Sequence, residues 1–296
     1  MNPARTATGG FPIGFRQAGG EWQRDPATLV RWAAGERFAC VDFDKQRAVA
    51  GLAALRAAGL MIGSVDLFGR ADYDAVIAPD SPARRQAIEA VVVSVEELAA
   101  AGATLFFAVT LPADPGRGRR ANFDALVESF MALVPVLGRT DTHVALEGWP
   151  GPGAVCCTPE TFRAFFAAVG SDRFGINYDP SHLVRMGIDP LRFLREFAGR
   201  VYHVHGKDAI VSQEDLYEYG HELPPTFKQP PRWSGGTWRY TVPGRGRTSW
   251  PDVFRTLRDA GYAGKVTVEL EDADFHGTSA DEQRGLVVSR DFLEAC

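Results

Sequence analysis

Four side chains carry the chemistry that this sequence can offer: Glu147, Asp179, His205 and Glu269. Each is the last polar residue of an apolar run and falls on the opposite face of the run from its β-branched and aliphatic neighbours. Val144 and Leu146 flank Glu147, Ile176 and Tyr178 face away from Asp179, and Val266 and Val268 face away from Glu269, because alternate residues of a strand point to opposite faces. In the run VYHVHGKD, His203, His205 and Lys207 share one face. Three carboxylates drawn into a partly dehydrated cavity repel one another, and a divalent cation is the simplest way to offset that repulsion. Three hard oxygens and one imidazole nitrogen suit Mn2+, Mg2+ or Co2+ with open coordination positions better than a closed structural zinc site, and Mn2+ is the favoured ion.

The elements that must position these groups follow from periodicity. Strand-like runs alternate eight times with segments of helical period, the pattern of parallel βα units. The strands are expected at Phe11–Arg16, Phe38–Asp42, Leu60–Asp66, Ala103–Thr110, Thr142–Glu147, Arg173–Asp179, Arg200–His205 and Lys265–Glu269. Start signals for the helices include Asp25 before Pro26, Asp44 before Lys45, Ser81 before Pro82, Thr158 before Pro159 and Ser249 before Trp250, with glycines such as Gly59, Gly102 and Gly261 as stops. Eight strands and eight helices in strict alternation predict a (β/α)8 TIM barrel, read as one domain over residues 1–296. A doubly wound sheet is the rival, but the first strand is not followed by the glycine-rich phosphate turn that such folds use.

In a barrel of this kind the site lies at the C-terminal ends of the strands. Glu147, Asp179, His205 and Glu269 end strands five to eight, which are neighbours about 4.8 Å apart, so one mouth gathers all four. His203 falls one layer deeper. Asp42 and Asp66 also end strands inward and are read as solvated strand ends, Glu271 as a rim residue and the substitute for Glu269 should that ligand be misassigned, and His143, His221 and His276 as having no special role. One long irregular stretch, Ala209 to Thr248, follows strand seven; its Trp233, Trp238 and Tyr240 give it something to bury, and loops of this length are usually lids or binding loops.

Composition narrows the classes. Of 296 residues, 45% are hydrophobic and 23% charged, with a formal net charge of -5 and a pI near 5.7, so nothing basic invites nucleic acid or an anionic membrane. The amino-terminal residues show no apolar signal region, and no run approaches the roughly 18 apolar residues of a membrane span. Cys40, Cys156, Cys157 and Cys296 have no metal-binding or redox spacing and read as thiols of a reducing, cytoplasmic compartment. A small-molecule substrate is expected, and either a homo-oligomer or a hetero-complex is compatible with this composition.

The sequence resembles the sugar phosphate isomerase/epimerase superfamily, the xylose isomerase-like barrels that include D-tagatose 3-epimerase and inosose isomerase. The matching pieces are Leu146–Glu147, the run NYDPSH from Asn177 to His182, HVHGKD from His203 to Asp208, WRYTVPG from Trp238 to Gly244 and GYAGKVTVE from Gly261 to Glu269. The resemblance implies that Glu147, Asp179, His205 and Glu269 bind the metal, that Glu147 and Glu269 double as an acid/base pair, and that His182 helps to hold substrate. It departs from the ketose 3-epimerases three and six residues beyond the metal histidine, where Asp208 and Val211 stand in the places of a glutamate and an arginine. Lys207 and the 209–248 stretch are therefore expected to define a different substrate.

The implied chemistry is proton abstraction next to a carbonyl through an enediolate, ending in epimerisation or isomerisation. Loss of a β substituent from a 3-keto glycoside, a lyase reaction, shares that intermediate. A DNA-repair barrel of the endonuclease IV type needs more histidines and a basic groove, against which six histidines and the acidic pI weigh. A non-catalytic barrel would have no use for all four ligand candidates.

Overall fold

The computed structural model describes residues 2–296, with side chains for all of these except residues 70 and 71. Its strands are β1 (Ile13–Arg16), β2 (Cys40–Phe43), β3 (Met61–Asp66), β4 (Leu105–Val109), β5 (His143–Glu147), β6 (Phe174–Tyr178), β7 (Val201–Gly206), β8 (Asp208–Val211), β9 (Trp238–Thr241) and β10 (Val266–Val268). Eight of them close a parallel barrel in the order β1-β10-β7-β6-β5-β4-β3-β2, and β8 and β9 pair separately. The expected (β/α)8 architecture is therefore the observed one.

Local sequence explains the helices between these strands. Pro26, Pro82, Pro159 and Pro190 each open a helix at its first position, where the missing N–H costs nothing. Asp25, Ser81 and Thr158 accept the expected capping hydrogen bonds from Thr28, Arg84 and Thr161. Asp44 acts differently from the expectation: the helix begins at Ala48, and Asp44 instead closes the preceding turn by accepting from Arg47 N at 2.8 Å. The helix Arg119–Thr140 has the length and, at a mean hydropathy of 1.3, the apolarity of a membrane span. Its buried Leu126, Phe130, Leu133 and Leu137 recur at helical spacing, so its apolar stripe is an amphipathic face against the core.

Two compact units share the chain: Met1–Val41, Asp179–Gly199 and Val204–Cys296 form one, and Asp42–Tyr178 with Arg200–His203 forms the other. Their borders fall inside β2 and β7. In the first unit the Phe15 ring packs edge-on against Phe38 at 4.9 Å and Trp32 at 5.6 Å. In the second, Phe130, Phe165 and Phe174 form a triangle of rings 5.4 to 5.8 Å apart. Gly175 lets the Tyr202 ring lie against the strand; a Cβ there would come within 2.3 Å of it, closer than packed atoms approach.

The stretch after β7 is more ordered than its sequence suggests. β8 and β9 form an antiparallel pair with Asp208 opposite Thr241 and Val211 opposite Trp238, and the helix Gln213–Tyr219, capped by Ser212, lies between them. Short strands separated by so much chain pair through tertiary contact, which local propensity does not report. Two buried carboxylates clamp this excursion. Asp208 accepts from Ala209 N, Thr248 N and Thr248 Oγ1 at 2.9 to 3.1 Å and from Gly244 N at 3.3 Å. Asp272 accepts from Thr241 Oγ1 at 2.7 Å and Val242 N at 3.1 Å. Burial raises the Asp208 carboxyl above its ordinary range, against the pull of these donors.

Candidate metal centre and active site

Strand register delivers the candidate ligands. On β5, Glu147 pairs with Asn177 of β6, and Asn177 Nδ2 donates to Glu147 Oε2 at 2.6 Å. Two residues after Asn177 the strand has ended, and Asp179 is the N-cap of a short helix, Pro180–Arg185. Its Oδ1 accepts from Ser181 N at 2.9 Å and from Ser181 Oγ at 2.6 Å, which leaves Oδ2 facing His182 and Lys207. On β7, His205 stands opposite Thr267 of β10, and Glu269 follows β10 immediately. His205 Nδ1 lies 3.5 Å from Glu269 Oε2.

One ligand atom from each of Asp179, His205 and Glu269 lies within 4.8 Å of the others. Asp179 and His205 are buried, and Glu269 is partly exposed; Glu147, at the end of β5, is also buried. Carboxylate oxygens beside an imidazole nitrogen are a donor set that fits a hard divalent cation. The cluster can hold a metal, and it contains three of the residues singled out by strand alternation.

The histidines divide by depth. His203 Nε2 lies 3.0 Å from Asp42 Oδ2, both groups fully buried, while Asp42 Oδ1 accepts from Ser64 N at 2.6 Å. Asp42, expected as a solvated strand end, is instead fully buried beside His203. His182 is buried and engaged on both sides: Nδ1 is 2.6 Å from Tyr240 Oη and Nε2 is 3.3 Å from Asp179 Oδ2. Arg185 Nη1 also donates to Tyr240 Oη at 2.7 Å, and its guanidinium stacks 4.0 Å from the Trp238 ring centroid. Tyr240 and Trp238 lie on β9, so the excursion is built into the surroundings of the cluster.

Lys207 occupies an unexpected position. Its side chain is 1% exposed, yet strand periodicity alone would leave it at an open mouth. Its ammonium donates to Glu269 Oε2, reaches Glu271 Oε2 at 2.9 Å, lies 3.1 Å from Asp179 Oδ2 and sits 4.6 Å from the Tyr240 ring centroid. Glu271, expected on the rim, is therefore part of the polar network. Arg16, to which the sequence assigned no role, brings its Nε to 3.3 Å from Glu269 Oε1. It obeys the same rule as the other site residues, being the last polar residue of β1, in line with Phe15 opposite Val268.

Burial by itself would raise the Glu269 carboxyl, but Lys207, His205 and Arg16 together hold it well below its ordinary value of 4.5. Burial raises Glu271 above its ordinary range, with Lys207 opposing. A carboxyl lowered in the folded state stabilises the protein above its unfolded value, and that contribution is lost as the pH falls through the folded value. In metal-free protein the stability gap between wild type and Glu269→Gln is therefore expected to be full above about pH 4.5 and to be lost only as the pH falls well below that value. Urea midpoints across that range measure it; a gap independent of pH would contradict the ion-paired state of Glu269.

Comparison with known proteins agrees with the barrel fold. A family profile described as xylose isomerase-like TIM barrel matches residues 30–296. The chain is 36% identical over 121 residues to the uncharacterized protein YfiH of Bacillus subtilis, covering 38% of this chain and 36% of that protein. It is 35% identical over 94 residues to an inosose dehydratase of Clostridium tetani, covering 32% of this chain and 29% of the relative. The matched segments thus span about a third of these relatives' lengths. Among solved structures it is similar to the 3-keto-D-glucoside 4-epimerase YcjR of E. coli, with a TM-score of 0.69 at 18% identity over 97% of this chain and 100% of that one. The D-psicose 3-epimerase of Clostridium cellulolyticum gives a TM-score of 0.70 at 16% identity over 96% and 100%. At these identities the structural likeness is one of fold.

Proposed function

The chain belongs to the xylose isomerase-like TIM barrel family, and from that premise we propose that it is a divalent-metal-dependent sugar isomerase or epimerase. The observation that carries this reading is the cluster of Asp179, His205 and Glu269, whose ligand atoms lie within 4.8 Å of one another, to which Glu147 at the end of β5 is added as the fourth ligand of the proposal. The hard donor set favours Mn2+ over softer ions, with Mg2+ or Co2+ as substitutes. Bound by these four residues, the ion would act as a Lewis acid that polarises a substrate carbonyl and acidifies the neighbouring C–H.

The chain's own groups do the rest. Glu147 ends β5 and Glu269 follows β10, and we assign to one of them the removal of the proton next to the carbonyl and to the other its return. Return on the opposite face gives an epimer, and return at the neighbouring carbon gives an aldose-ketose isomer. Asn177 fixes the orientation of Glu147, and Arg16 and Lys207 keep Glu269 ionised. Lys207, at the inner end of the excursion, and His182, on the helix capped by Asp179, are the residues we assign to holding the sugar.

The relatives named inosose dehydratase favour a second reading, in which the same enediolate expels a β substituent. One experiment separates the outcomes. Chelator-treated protein reloaded with Mn2+ is offered ketoses, inososes and 3-keto glycosides in D2O, and proton NMR follows the carbon next to the carbonyl. Mn2+-dependent deuterium uptake is expected with at least one class, and the product spectrum distinguishes epimer, isomer and elimination product. No Mn2+-dependent exchange with any of the three would reject the reading.

A further inference from the structure

Lys207 makes two kinds of contact. Its bond to Glu269 and its 3.1 Å approach to Asp179 involve carboxylates of the candidate ligand set. Its 2.9 Å bond to Glu271 and its place 4.6 Å from the Tyr240 ring involve groups outside that set. A buried ammonium shared in this way already supplies positive charge where a divalent ion would bind.

We propose that Lys207 is the resident cation of the cluster, competing with the divalent metal for Asp179 and Glu269, and that Glu271 and Tyr240 form the berth to which its ammonium withdraws. This rests on the metal-dependent reading above. Two cations a few ångströms apart in a poorly screened site repel strongly, so both cannot share Glu269 and Asp179 on equal terms. Lysine suits the task because its ammonium is a compact charge on a flexible four-carbon stem, which can move without unpacking the strand that carries it.

The charges support a two-place cation. Asp179, Glu269 and Glu271 gather three carboxylates about the one Lys207 ammonium, with Arg16 against Glu269. A divalent ion that takes Asp179 and Glu269 leaves the lysine in need of a counter-charge. Glu271 offers one, already within hydrogen-bonding distance. The Tyr240 ring adds a cation-π face on the same side. The affinity for metal then includes the work of moving Lys207, and the metal-free protein is protected from the mutual repulsion of its own ligands.

The test is isothermal titration of Mn2+ into chelator-treated full-length protein, with thermal melts of the metal-free forms. Lys207→Met is expected to bind Mn2+ at least about tenfold more tightly than wild type and to melt at a lower temperature without metal. Lys207→Gln, which keeps a donor without the charge, should shift affinity in the same direction if Lys207→Met does not fold. Glu271→Gln should weaken binding, and that weakening should largely vanish in the Lys207→Met background, because Glu271 acts through the lysine. Unchanged or weaker affinity in the Lys207 variants overturns the proposal. An undiminished Glu271 effect in the double variant overturns the berth. Wild-type protein that takes up no Mn2+ rejects the metal-dependent reading itself, and this inference with it.

Discussion

Glu147→Gln and Glu269→Gln should each lower the rate of proton exchange next to the substrate carbonyl by about a thousandfold or more, since each removes both a ligand charge and one member of the acid/base pair. The amide is close in shape to the carboxylate, so folding is expected to survive. At position 147, Asn177 Nδ2 still finds an oxygen to donate to, as it does now at 2.6 Å. At position 269, Lys207 and Arg16 keep an acceptor but lose its charge. Exchange measured by NMR, beside circular dichroism of the same samples, separates loss of chemistry from loss of fold. Both variants exchanging within tenfold of wild type would remove these two residues from the mechanism.

Asp179 should show the largest combined effect on stability and metal binding. One carboxylate serves three functions: it caps the helix Pro180–Arg185 through Ser181, it faces Lys207 and His182 with its other oxygen, and it offers that oxygen to the ligand set. Asp179→Ala is expected to cost about 3 to 5 kcal/mol, the range for breaking a buried ion pair, with the lost cap included. Asp179→Asn keeps an acceptor for Ser181 N and should cost less. Both should weaken Mn2+ binding by about a hundredfold or more. Urea denaturation and Mn2+ titration of the pair test this; equal stability of the two variants would show that the cap contributes nothing, and wild-type affinity in Asp179→Asn would exclude Asp179 as a ligand.

The four ligand candidates could be found in the sequence because a barrel strand writes its geometry locally. Alternation sets the face, the end of the apolar run sets the level, and strand order sets the neighbours. Arg16 satisfies the same three conditions, but a lone arginine closing an apolar run has too many ordinary explanations to stand out. The partnership of Lys207 with Glu271 was not legible for a different reason. It is made by long side chains reaching past the strand ends, where periodicity says nothing about which residues meet. The β8–β9 pair escaped because Asp208 and Thr241 are brought together by pairing across a long connection, and neither four-residue strand carries a pattern of its own. Asp208 illustrates the same limit: the sequence marked it only as a departure from the ketose 3-epimerase pattern, whereas its oxygens accept from Ala209, Gly244 and Thr248.

The two clamps on the excursion have an evolutionary consequence. Asp208 and Asp272 fasten the ends of the excursion by accepting from the backbone N–H groups of Thr248 and Val242 and from the Thr241 hydroxyl, bonds that ask little of the residues between. Residues 212 to 237 can therefore change in sequence and length while the two fastenings hold the ends of the excursion where they are.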